Sequence, residues 1–144
     1  MTAEKKTDNL TGFWTGVYDY PDTYKEPVPF NAVIEDTMGS LSGEIIEPNT
    51  FSRTKDHELF ASFSGTRQGS SVHFIKTYEK VPQGGHSIAY EGTVDESFTK
   101  ITGTWKGERA GLLWSGPFLM NRADGRKAQV EKKTESELEI VKTQ

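Results

Sequence analysis

Lys76-Thr77-Tyr78 is the spacing with the most chemical content in this chain. In an extended segment it sets an ammonium and a phenol on one face, about 7 Å apart along the strand. Together they can grip a carboxylate. Tyr18, Arg67 and Tyr90 take equivalent positions in other alternating segments, so two cations and three phenols are expected on one side of a sheet. Charged side chains are rarely buried unless paired. A cation aimed inward therefore needs a carboxylate, a water cluster or the anionic head group of a ligand. Otherwise Arg67 and Lys76 lie near the rims and reach water, with the tyrosines as ordinary core.

Other chemistries are thinly represented. The absence of cysteine excludes disulfides, thiolate metal sites and thiol nucleophiles. His57, His73 and His86 are too scattered for a metal pattern, and His73 alternates away from Val72 and Phe74. Gly-x-Ser-x-Gly, the elbow of many serine hydrolases, does not occur. Gly84-Gly85 and the stretch 107–111 precede no helix whose N-terminus would complete a phosphate cradle. The sequon Asn9-Leu10-Thr11 carries weight only in a secreted chain. Asp36, Glu44 and Glu91 are candidate bases only if the face assignment slips by one residue, which flips every side chain of a strand. No catalytic residue, metal or cofactor is assigned.

The elements that must position these groups are strands. From residue 12 to 121 the signal is period two, with turn residues between runs. The runs cover 12–20, 28–36, 41–47, 59–67, 72–80, 86–94, 100–106 and 112–120. Most connections are short, as in hairpins, the longest, 48–58, still fits a surface loop, and none leaves room for a crossover helix, so the pairing is expected to be antiparallel. One face carries Trp14, Gly16 and Tyr18; then Phe30, Ala32 and Ile34; then Leu41, Gly43 and Ile45; then Ala61, Phe63, Gly65 and Arg67. The later runs continue it with Val72, Phe74, Lys76 and Tyr78, with Ile88, Tyr90, Gly92 and Val94, with Ile101, Gly103 and Trp105, and with Trp114, Gly116, Phe118 and Met120. Glycine recurs on that face in six of the eight runs. In strands it marks bends, bulges or close approach, which favours a sheet coiled into a closed all-β, eight-stranded up-and-down barrel over an open sandwich.

The frame is consistent with composition. At 144 residues the chain is one domain. Its hydrophobic fraction is a lean 33%, but the bulky Phe, Tyr and Trp residues can still fill a core. A net charge of -4 without a basic stripe argues against nucleic acid as partner. No apolar run approaches the roughly 20 residues of a membrane-spanning helix. Residues 1–11 read as a flexible lead-in, 12–121 as the barrel and 122–144 as a charged tail. From Arg126 onward the tail carries Val130, Leu138 and Val141 near one helical face, so a short helix or a frayed end is expected there. The polar start lacks a signal-peptide core, and a cytoplasmic location is expected.

Gly12-Phe13-Trp14-Thr15-Gly16, opening the first strand of such a chain, resembles the calycin group of lipocalins, fatty-acid-binding proteins and avidins. Gly12-x-Trp14 matches the lipocalin hallmark. The resemblance implies a closed antiparallel barrel whose mouth accepts a small apolar ligand. There is no lipocalin-type disulfide, and Pro21–Pro29 is too short and proline-bound for the helix pair of fatty-acid-binding proteins. The likeness therefore reaches the group and no single member.

These readings converge on a small-molecule binding protein. The expected ligand is apolar or aromatic, with an acidic head group. Its body would pack on Phe30, Phe63, Phe74, Trp105 and Trp114 in space left by the glycines, while Tyr18, Arg67, Lys76, Tyr78 and Tyr90 supply donors. The alternatives are a barrel-fold enzyme (isomerase, cyclase or hydrolase) acting on a small apolar substrate, and a packed-core interaction domain.

Overall fold

The computed structural model describes residues 9–21, 26–50, 57–79, 87–109 and 111–123. Eight strands follow one another: β1 (Gly12–Tyr18), β2 (Val28–Thr37), β3 (Ser40–Pro48), β4 (Glu58–Gln68), β5 (Ser71–Tyr78), β6 (Ser87–Val94), β7 (Lys100–Arg109) and β8 (Leu112–Ala123). Each pairs antiparallel with the next, and β1 pairs with β8 to close the barrel. The alternation of the sequence becomes the wall. In β2 and β5 every second residue is buried and the intervening ones face water.

Glycine and aromatic residues share the inner surface by a simple rule. Gly16 is the cross-strand partner of Phe30, Gly43 of Phe63, Gly65 of Phe74, Gly103 of Phe118 and Gly116 of Trp105. At Gly16, Gly43 and Gly116 the ring of the partner lies over the glycine: a Cβ on Gly43 would stand 2.5 Å from the tip of Phe63. It would also stand 1.9 Å from the Val33 carbonyl oxygen, because the tightly coiled sheet brings the backbones together there. The inner glycines are thus seats for rings rather than empty space, as in the aromatic covering of strand glycines generally. Phe63, Phe74, Tyr90 and Phe118 fill the middle of the barrel, with Phe74 and Tyr90 stacked at 4.9 Å and Tyr90 and Phe118 edge-on at 5.0 Å.

One end of the barrel is sealed. The turns there are short: β2 and β3 join through Met38-Gly39, both at positive φ as a two-residue hairpin loop requires. Asp36 anchors this end. Its carboxylate accepts from the amides of Leu10 and Gly39 and pairs with Arg67 at 2.7 Å. Trp14 donates its indole N–H to the Leu10 carbonyl, and Arg122 lies over the Trp14 ring while donating to the carbonyls of Asn9, Thr11 and Phe98. Two domain boundaries shift accordingly. Residues 9–11 are pinned into the barrel end, with Leu10 fully buried, and β8 runs on through Arg122 to Ala123. The expected tail helix lies outside the described residues.

Two outcomes follow. Gly43→Ala should destabilise the barrel by about 3 kcal/mol through overpacking against backbone, whereas Gly69→Ala, with open space around it but φ of +58°, should cost about 1 kcal/mol. Urea denaturation of both variants checks the contrast. The second outcome concerns pH. Burial alone would raise the Asp36 carboxyl, but the Arg67 guanidinium and the amides of Leu10 and Gly39 outweigh it and hold the group below its ordinary value. A carboxylate lowered by folding stabilises the folded state above its unfolded pKa of about 4, and this contribution fades as pH falls through the folded value. Asp36→Asn should therefore lower the melting temperature at neutral pH, with the gap to the wild type narrowing in acid.

Candidate functional site

The opposite end is formed by the C-terminal ends of β1, β3, β5 and β7 with the N-terminal ends of β2, β4, β6 and β8, and here the barrel buries charge. Lys76, near the end of β5, and Glu47, near the end of β3, form a salt bridge with both side chains fully inaccessible. The carboxylate also accepts from two phenols, Tyr18 at 2.6 Å and Tyr78 at 3.0 Å, both on its Oε2. The Tyr90 hydroxyl stands 3.4 Å from the lysine Nζ. Three aromatic faces surround that ammonium, with ring centres at 4.8 Å for Tyr18, 4.5 Å for Tyr78 and 5.7 Å for Tyr90. Among the described residues no buried side-chain nitrogen or oxygen lacks a partner.

The register explains the meeting. Glu47 and Lys76 stand on strands separated by β4, where Glu47 faces Leu59 and the small Ala61 lies between Ile45 and Tyr78. Above the pair is an aromatic rim. Tyr20 and Trp105 meet edge-on at 5.4 Å, and Tyr18 and Trp105 at 5.9 Å. Trp105 is held by its indole N–H, which donates to the Asp19 carbonyl at 2.7 Å. Partly buried Trp114 and Ile88 pack against the same core, and the β7–β8 hairpin tip carries Leu112 and Leu113 at 62% and 85% exposure.

Burial dominates the electrostatics. It pushes the phenols of Tyr18, Tyr78 and Tyr90 far up, the nearby Glu47 charge adding to it, so they stay protonated. Tyr18 and Tyr78 donate to Glu47, and Tyr90 accepts from Lys76. It lowers the lysine ammonium, against the pull of Glu47 in the other direction. The cluster combines donors, one acceptor carboxylate and no net charge from its ion pair.

The ten residues singled out from the sequence divide in three. Tyr18, Lys76, Tyr78 and Tyr90 come together in this cluster, and Trp105 and Trp114 stand at its end of the barrel. Phe30 and Phe63 cover Gly16 and Gly43 in the interior, and Phe74 packs between the rings of Phe63 and Tyr90. Arg67 sits at the sealed end on Asp36 and over the Phe98 ring. The carboxylates were the missing part. Asp36 faces inward without any slip of register, two residues beyond Ile34, while Glu44 and Glu91 point outward. Glu47 lies two residues beyond Ile45, so the same alternation that placed Lys76 inside places Glu47 there too. His73 is on the outer wall, 3.8 Å from Glu91, with both side chains well exposed. His57 is exposed and His86 lies outside the described residues. Among the described residues no group of three or more acidic or histidine side chains is placed to hold a metal ion.

No family model, curated protein or solved structure matches this chain. Its eight-stranded closed antiparallel barrel is compatible with calycin-like folds.

The buried pair yields a direct test. Removing one partner of a buried salt bridge typically costs about 3–5 kcal/mol, because the other charge is left uncompensated. Lys76→Met should fall in that range. Lys76→Met combined with Glu47→Gln, which keeps an oxygen for the two phenols, should recover more than half of the loss. A double-mutant cycle by urea denaturation reads the coupling.

Proposed function

We propose that the protein is a small-molecule binding barrel of calycin type. It takes an apolar or aromatic ligand at the end bearing Tyr20, Trp105 and Trp114. There it reads one polar group of the ligand with Tyr18, Glu47, Lys76, Tyr78 and Tyr90. The observation that carries this reading is the fully satisfied charge cluster beneath an aromatic rim. A buried ion pair is generally no more stabilising than well-packed apolar residues of the same volume. A barrel that needed only stability could extend its aromatic packing to this end. Apolar walls with a few convergent polar groups are the common design of ligand sites.

The cluster also refines the expected ligand. Lys76 and Arg67 each already have an internal carboxylate, so an acidic head group would have to displace Glu47 or Asp36. A neutral group with a hydrogen-bonding oxygen fits without that displacement. Because the middle of the barrel holds Phe63, Phe74, Tyr90 and Phe118, the ligand body belongs at the rim rather than deep inside. Glu47 also favours a second reading, acid–base catalysis on a small apolar substrate, since it supplies the inward carboxylate that such chemistry requires.

Titration with the neutral aromatic dye Nile red tests the binding reading. Dye emission should rise with saturation, and Trp114→Ala should weaken binding about tenfold, or about 1.4 kcal/mol. Phe60→Ser, on the exposed outer wall, should leave it unchanged. Binding that ignores Trp114 but responds to Phe60, or an absence of saturable binding, would overturn the proposal.

A further inference from the structure

Lys76 is a primary amine fully buried among aromatic rings, with a carboxylate on its Nζ and a phenol 3.4 Å away. For holding a neutral oxygen, hydroxyls alone would suffice. A lysine adds one capability that a phenol lacks, which is reversible covalent capture of a carbonyl carbon. We propose that the site takes an apolar or aromatic aldehyde and holds it as an imine on Lys76, with Glu47 moving the protons. This rests on the binding reading above and names its ligand class.

The chemistry closes within the cluster. Glu47 accepts a proton from Nζ, freeing the nitrogen lone pair. The nitrogen attacks the aldehyde carbon, forming the C–N bond as the carbonyl π bond opens onto oxygen. A second proton passes from nitrogen to that oxygen, giving a carbinolamine. Glu47 then returns its proton to the hydroxyl, the C–O bond breaks and water leaves. The ammonium–carboxylate pair and the aldehyde have become an iminium–carboxylate pair and water, with charge and atoms conserved. The product keeps what stabilised the ammonium: the Glu47 carboxylate and the faces of Tyr18, Tyr78 and Tyr90.

Three further features suit the role. Burial lowers the lysine, which favours its nucleophilic form. Exclusion of water from the site slows hydrolysis of the imine once it has formed. Tyr18 and Tyr78, at 3% and 5% exposure, are the least buried members of the cluster and lie at the end where the aromatic rim would hold the ligand body.

The test uses the intact protein with trans-cinnamaldehyde at less than one equivalent, followed by sodium borohydride and peptide mapping. The reduced adduct should concentrate on Lys76 over every surface lysine, and unfolding in urea before treatment should abolish that preference. Glu47→Gln should slow capture at Lys76 about tenfold. Lys76→Arg, which keeps the charge for Glu47, should remove the adduct. Cinnamyl alcohol, which cannot form an imine, is run in parallel as a competitor of Nile red. If the alcohol displaces the dye but Lys76 gains no adduct, imine capture is overturned and the binding reading stands. Adducts spread evenly over exposed lysines would also overturn it. If the alcohol does not displace the dye and no adduct forms on Lys76, both proposals fall.

Discussion

Closing eight strands into a narrow barrel brings neighbouring backbones so near that side chains cannot line the inside uniformly. At Gly43, Gly65 and Gly103 the position a Cβ would occupy lies 1.9 Å from a carbonyl oxygen of the adjacent strand. Only glycine fits at such points. Each missing side chain leaves a shallow bed, and at Gly16, Gly43 and Gly116 a ring from the neighbouring strand (Phe30, Phe63 and Trp105) reaches into it. The bulk a barrel interior needs thus comes from few, large residues. This is how a chain with 33% hydrophobic residues closes a core.

The same geometry separates the two ends. Rings occupy the middle, so charged groups on the inner face gather at the termini of strands, where the beds run out. At the sealed end Asp36 ties Arg67 to the amides of Leu10 and Gly39, and Arg122 closes over Trp14. Those contacts are largely to backbone, and they fix turns and the chain preceding β1. At the other end Glu47 and Lys76 are bound almost wholly by side chains, mostly phenols. A carboxylate held by backbone amides is committed to the fold. One held by side chains can exchange a partner for a ligand atom through rotamer changes alone.

Period-two alternation made the fold legible, because each strand has one wet and one dry face and the hairpins are short. It also placed Lys76, Tyr78, Tyr18 and Tyr90 on the inner wall. What it left open was partnership. Glu47 meets Lys76 across the intervening β4, and Asp36 meets Arg67 across β3. Such contacts depend on strand tilt and stagger, which alternation does not encode. A signal for the carboxylates was nonetheless present: Asp36 and Glu47 continue the inward series of Ile34 and Ile45, and an internal carboxylate is one of the partners an inward cation can take. The purpose of the glycines was ambiguous for a related reason. Glycine opposite an aromatic residue reads as space until the register shows the ring lying in it.

That distinction decides where function can reside. An interior lined by glycine with no rings above it would offer a deep cavity, and Arg67 and Lys76 could then have gripped one ligand together. With rings seated on the glycines, the two cations stand at opposite ends and each answers to its own carboxylate. Among the described residues the rings of the sealed end, Trp14 and Phe98, lie under Arg122 and Arg67, and its charges are locked to the backbone. The Lys76 end combines an amine, a carboxylate and three phenols that stay protonated, beneath the rim of Tyr20, Trp105 and Trp114. Of the two buried charge pairs among the described residues, this one joins an amine, a carboxylate and phenols, and the rings of Tyr20 and Trp105 pack beside its Tyr18.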